Sequence, residues 1–145
     1  YAHRGTAFVE ILQNCNVFND GAFDDVTDKT RKADHTLLLE HGTPLVFGRD
    51  RDRGIRLRGT TLEVVTLGDG VSERDLVVHD EHDAGLAALL ARLGPPVYPV
   101  PMGVLFATER PCYEDGVAAQ VAAARAAVPA DLGALLRGTE TWVVP

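Results

Sequence analysis

The start of the chain sets the tightest constraint. Ala7-Phe8-Val9-Glu10-Ile11-Leu12 is a short apolar run rich in strand formers. Gln13-Asn14-Cys15-Asn16-Val17-Phe18-Asn19-Asp20-Gly21 follows at once. A short apolar run bounded by turn formers suits a strand buried on both faces of a sheet. Asn, Asp and Gly tolerate the backbone angles of tight turns. The pattern predicts an α/β fold in which a buried strand opens into a polar loop holding one cysteine. In open α/β sheets, ligands bind where the strands end.

Composition narrows the class. The 145 residues are 46% hydrophobic and 24% charged, which is ordinary for a soluble domain. A chain of this length buries roughly 68–70% of its unfolded surface. No apolar run approaches the ~18 residues of a membrane span. The net charge of −7 argues against a nucleic-acid partner, which favours a basic face. Two cysteines, Cys15 and Cys112, make neither a disulfide framework nor a closed zinc site, so a cytoplasmic location is expected. The first residues lack the basic region and cleavage site of a signal peptide. An abrupt start inside a buried strand predicts that the chain is a portion of something larger.

Residues 1–40 read as that strand and its loop. Residues 41–79 carry short strand-like runs at 45–47, 55–58, 61–66 and 76–79, with a charged turn over 48–54. They read as a small antiparallel appendage on the α/β core. Residues 80–145 are mostly helical. Asp83 is placed to cap a helix over 84–93, with Leu86, Leu89, Leu90 and Leu93 on one face. Gly94-Pro95-Pro96 stops it. An extended segment over 97–101 leads to a strand at 103–107. A second helix spans about 114–127, with Val117, Val121 and Ala124 at helical spacing and Pro129 closing it. Asp131 caps a last short helix to Arg137, and the tail 141–145 is extended.

Several motifs invite a chemical reading. Gly68-Asp69-Gly70 has the form of a thiamine-enzyme metal signature, but no Asn occurs after Asn19, so a turn is favoured. His79-Asp80-Glu81-His82-Asp83 resembles a metal cluster, but it lacks the H-E-x-x-H spacing. It reads mainly as a strand end and a helix cap. Arg49-Asp50-Arg51-Asp52-Arg53 reads as a solvated hairpin tip. The single Ser72 and the absence of G-x-S-x-G exclude the α/β-hydrolase nucleophile elbow. No G-x-G-x-x-G opens a helix, so no Rossmann site is supported. Cys15 is either a small buried thiol or a thiolate that ligates or attacks.

The segment from Gly5 to Asp20 resembles the β subunits of 2-oxoacid:ferredoxin oxidoreductases, most closely the 2-oxoglutarate type. The resemblance continues through His41-Gly42-Thr43-Pro44, Phe47-Gly48, Leu76-Val77-Val78-His79-Asp80-Glu81, Pro101-Met102-Gly103-Val104 and Arg110-Pro111-Cys112-Tyr113-Glu114. These blocks run in the family's order over about residues 3–115.

The resemblance implies thiamine diphosphate and Mg²⁺, a [4Fe–4S] cluster, and oxidative decarboxylation of a 2-oxoacid to acyl-CoA with electrons passed to ferredoxin. It implies an α subunit as partner. It makes Cys15 the candidate fourth cluster ligand and sets Asn14, Asn16, Phe18 and Asn19 near the thiamine diphosphate or the cluster. Cys112 falls where the family usually has Thr and reads as a buried thiol. The family's CxxC, third cysteine and G-D-G…N motif are not in this sequence and are expected upstream. On this reading, residues 1–40 are the last strand and loop of the thiamine-diphosphate-binding domain, and 41–145 are a C-terminal extension. The 145 residues alone are then expected to be inactive. The alternative is a non-catalytic α/β module that docks a partner subunit.

Overall fold

A computed structural model describes residues 3–128, 131–139, Trp142 and Val144. Two compact units form, one of Glu10–Thr108 and one of Tyr1–Val9 with Glu109–Pro145. The described residues form a mixed α/β structure with a small antiparallel sheet and C-terminal helices.

The larger unit opens with the loop around Cys15 and two single-turn helices, α1 (Asp24–Thr27) and α2 (Lys32–His35). Strand β1 (Thr36–Leu39) follows, and then β2 (Val46–Phe47), β3 (Arg53–Arg58) and β4 (Thr61–Thr66). Helix α3 (Ala84–Leu90) and strand β5 (Val100–Gly103) complete the unit. Strands β2, β3 and β4 make the antiparallel sheet expected over 41–79. The β3–β4 hairpin turns through Gly59 and Thr60 with Arg58 opposite Thr61. Gly59 has φ 64°, the positive value that two-residue hairpin turns demand. Across the hairpin Arg56 faces Glu63, and its Nε donates to Oε1 at 2.8 Å, a favourable cross-strand pair.

The run at 76–79 forms an isolated bridge, Pro44 to Val78, rather than a full strand. It is nevertheless tied in. Leu45 N–H donates to the Val77 carbonyl, Val77 N–H to Ile55, and Ile55 N–H to Leu45, each at 2.9 Å.

The core gathers residues distant in sequence. Leu37, Leu45, Ile55 and Leu90 are fully buried, with Leu39, Phe47 and Leu62 beside them. Helix α3 starts where expected but ends at Leu90, three residues short of the expected 93. Asp83 accepts from the Gly85 and Leu86 N–H groups at 2.8 and 3.0 Å, satisfying two donors that a helix start leaves open. Leu86, Leu89 and Leu93 pack against the core beside Leu90.

Two expectations are corrected. Residues 7–12 carry no strand, and Phe8, Val9 and Ile11 are exposed. A strand needs a neighbour for its backbone N–H and C=O groups, and none of the described strands pairs with this run. Cys15 therefore does not lie at the end of a buried strand. Second, the strand expected at 103–107 lies earlier, at Val100–Gly103, where its partner is β1. The two run parallel, with Thr36 opposite Val100 and Leu39 opposite Gly103. Val117 and Val121 of the later helix are exposed.

The smaller unit holds helices α4 (Tyr113–Ala127) and α5 (Leu132–Arg137). No residue of α4 is buried. Arg4 pairs with Asp115 at 2.7 Å. Asp131 caps α5 as expected, accepting from Ala134 N–H at 2.9 Å. Pro129 and most of the tail 141–145 lie outside the described residues.

Candidate functional site

The Cys15 loop is a compact turn. Asn19 N–H donates to the Cys15 carbonyl at 2.8 Å, which brings the chain back on itself. Asn14 braces the loop from outside. Its Nδ2 donates to Asp20 at 2.9 Å, and its Oδ1 accepts from Gly21 N–H at 3.0 Å. The turn folds the backbone of residues 17–19 back over Cys15. The N–H groups of Phe18, then Val17, and less strongly Asn19, hold the Cys15 thiol below its ordinary range against a small opposing effect of burial. Backbone donors favour the thiolate because they bond the charged form.

Cys15 is exposed and free. It is not a buried thiol in this structure. Of the residues expected near a cofactor, Asn14 is occupied in bracing the turn. Asn16, Phe18 and Asn19 lie on the exposed rim around the sulfur, and the Phe18 ring is 91% exposed. The structure brings these residues together around one thiol. Cys112, expected buried, is half-buried at the N-terminal flank of α4.

Gly68-Asp69-Gly70 is a turn. Gly68 and Val71 exchange two backbone bonds at 2.9 Å, and Asp69 has φ 47°. The tip is solvated as expected over 49–52, and only Arg53 is half-buried. Arg53 donates to Asp34 at 2.6 Å and lies 4.7 Å from the centre of the Phe47 ring. The backbone N–H of Arg49 and the Arg53 and Arg49 cations hold the Asp34 carboxyl below the usual carboxylate range, against some burial.

A second region gathers where the parallel pair ends. Strands β1 and β5 point the same way, so the loops after both emerge on one side. His41 follows β1, and residues 104–107 follow β5. The segment 79–82 is threaded between them. Gly42 N–H donates to the His79 carbonyl at 2.8 Å, and His79 N–H donates to Thr43 at 2.9 Å. On the other side, Ala107 N–H donates to the Glu81 carbonyl at 2.7 Å. His79 itself is 1% exposed. Its Nε2 meets the Val104 carbonyl at 2.8 Å, and its Nδ1 has no partner. His41 was not singled out by sequence spacing. It lies forty residues from Glu81, and only the strand topology joins them.

Compared with curated proteins, the chain aligns along nearly its whole length with an oxidoreductase subunit. That relative is the 2-oxoglutarate oxidoreductase subunit KorB of Mycobacterium tuberculosis, 38% identical over 148 residues. The match takes in 98% of this chain and 39% of the relative, so the chain spans well under half of the relative's length. The resemblance read from the sequence is borne out: the chain is related to a 2-oxoglutarate oxidoreductase subunit. No protein-family model matches it, and no solved structure does. No helix among the described residues is long and apolar enough to cross a membrane.

Proposed function

We propose that this chain is the C-terminal part of the β subunit of a 2-oxoglutarate:ferredoxin oxidoreductase, and that Cys15 is one thiolate ligand of its [4Fe–4S] cluster. The observation that carries the reading is the Cys15 turn. A cluster ligand must be a thiolate, and hydrogen bonds to the sulfurs tune the potential. An accessible sulfur with three backbone N–H groups favouring its ionised form fits that task. The similarity to KorB supports the enzyme class.

A [4Fe–4S] cluster needs four thiolates. Cys15 supplies one, and three come from elsewhere in the assembled subunit. Phe18 and the loop asparagines border the cluster or the cofactor and limit water there. When bound, thiamine diphosphate supplies the carbanion chemistry of decarboxylation, and the protein positions it. The residues of this chain do not fit the diphosphate and its Mg²⁺. Gly68-Asp69-Gly70 is closed into a tight turn, and no Asn follows it. That site belongs to the rest of the subunit.

Ile11, Val17 and Phe18 are exposed, as is Phe8 in the smaller unit, and each is suited to burial against the remainder of the subunit or the α subunit. The test is to express the complete subunit with its α partner and assay ferredoxin reduction. Reduction that requires both 2-oxoglutarate and CoA is expected. Loss of specificity for 2-oxoglutarate over other 2-oxoacids would refute the substrate, and no reduction with any 2-oxoacid would refute the reading.

A further inference from the structure

We infer that His41, Glu81 and His82 form a site for a divalent transition-metal ion of the zinc class. None of these residues is used in the proposed function. One ligand atom from each of these residues lies within 4.8 Å of the other two. The His41 and His82 rings sit 5.3 Å apart at an interplanar angle of 54°, so they converge rather than stack. His82 Nε2 and Glu81 Oε1 are 3.9 Å apart. Metal bonds of about 2.0–2.1 Å at tetrahedral angles set neighbouring ligands about 3.3 Å apart. Small side-chain rotations close that gap.

The surroundings favour coordination over a chance meeting of side chains. His82 Nδ1 lies 2.8 Å from the Ala107 carbonyl. An Nδ1–H donating to that oxygen fixes the tautomer and directs Nε2 at Glu81. This is the arrangement that orients histidine ligands in metal proteins. Asp80 Oδ1 accepts from His82 N–H at 2.9 Å and stands 3.6 Å from His41 Nδ1. With Nε2 of His41 as the ligand, Asp80 is the acceptor for its Nδ1–H. The Glu81 N–H that now meets that nitrogen at 3.3 Å gives way.

The backbone holds the set from both sides, through Gly42 to His79 and through Ala107 to Glu81. Two imidazoles and one carboxylate are the donor set of a three-ligand zinc site that keeps a position open for water. The exposure of His41 and His82 leaves that position accessible. The run 79–83 does not make the site by itself: His79 is buried against the Val104 carbonyl, and Glu81 and His82 need His41 from the loop after β1.

Zn²⁺ titrated calorimetrically into the 145-residue chain tests this, with Co²⁺ absorbance reporting the ligand type. One ion per chain is expected, with Co²⁺ bands of a nitrogen–oxygen site and no thiolate charge-transfer band. His41→Ala and His82→Ala should each weaken binding at least tenfold, and Glu81→Gln severalfold. His35→Ala, in an exposed histidine of α2, should leave it unchanged. His41 and His82 are exposed and Glu81 is half-buried, and each variant's melting curve confirms its fold. Absence of saturable binding would overturn the assignment. So would full affinity in the three site variants, or a thiolate band that persists in them.

Discussion

Gly54 shows most clearly how the sheet of the larger unit is held, and substituting it gives a sharp prediction. It lies in β3 opposite Val46 and Val65 and is buried. A Cβ there would stand 2.7 Å from Leu76 Cδ2 and 3.1 Å from Cγ, with Cδ1 closer still. Carbon atoms pack best at about 3.5–4.0 Å, so the overlap approaches an ångström. Leu76 is only 7% exposed, and the next residue is tied to β3 by the Val77-to-Ile55 bond of 2.9 Å. It has little room to retreat.

Overpacking of this kind costs about 1–3 kcal/mol. Each kcal/mol lowers Tm by about 4–8 °C for a unit of this size. Gly54→Ala is therefore expected to lower the melting temperature of the chain, read by circular dichroism. Leu76→Ala alone should cost about 2–5 kcal/mol as a core truncation. In that background the clash is gone, and Gly54→Ala should be near neutral or stabilising by up to about 1 kcal/mol through the unfolded state. The double-mutant cycle isolates the coupling. An equal cost of Gly54→Ala in both backgrounds would refute the reasoning, as would neutrality in the original chain.

Other outcomes follow from single contacts. Asp83→Ala should destabilise by about 1 kcal/mol through loss of the α3 cap, while Asp83→Asn or Asp83→Ser should restore most of it in chemical denaturation. Gly103→Ala should destabilise the β1–β5 pair. Its φ of 132° disfavours a side chain, and the added Cβ would sit 2.6 Å from the Leu39 carbonyl oxygen. Asp34 should add an acid limb to stability. Its carboxyl is depressed on folding, so its contribution is full above the unfolded value of about 4 and is lost as pH falls through the lower folded value. Asp34→Asn should flatten that part of the stability–pH curve, and an unchanged slope below pH about 4 would contradict the assignment.

What could be read in advance was local. Asp83 followed by leucines at helical spacing specifies α3, and the structure shows the cap and the buried face, while the helix ends at Leu90 before the Gly94-Pro95-Pro96 stop is reached. The β3–β4 hairpin was legible because Ile55 and Leu57 alternate with arginines and a Gly-containing turn follows. Asp131 and the Gly68–Gly70 turn are equally local.

The parallel β1–β5 pair was not legible. Nothing in Thr36–Leu39 announces a partner beyond residue 99, and parallel pairing needs a long crossover. That pair brings His41 to Glu81 and His82, so spacing could not reveal the cluster. Residues 7–12 misled because apolar β-formers report a wish for burial and not the presence of a neighbour. Cys15 was singled out for its loop, but the three N–H groups facing its sulfur depend on how the chain doubles back at Asn19.

The most direct test of the central claim is iron and sulfide analysis, with visible absorbance, of the complete subunit carrying Cys15→Ala. A cluster ligand predicts loss or marked depletion of the [4Fe–4S] signature, partial recovery with Cys15→Ser, and an unchanged fold. Full iron content and an unaltered spectrum in Cys15→Ala would contradict it.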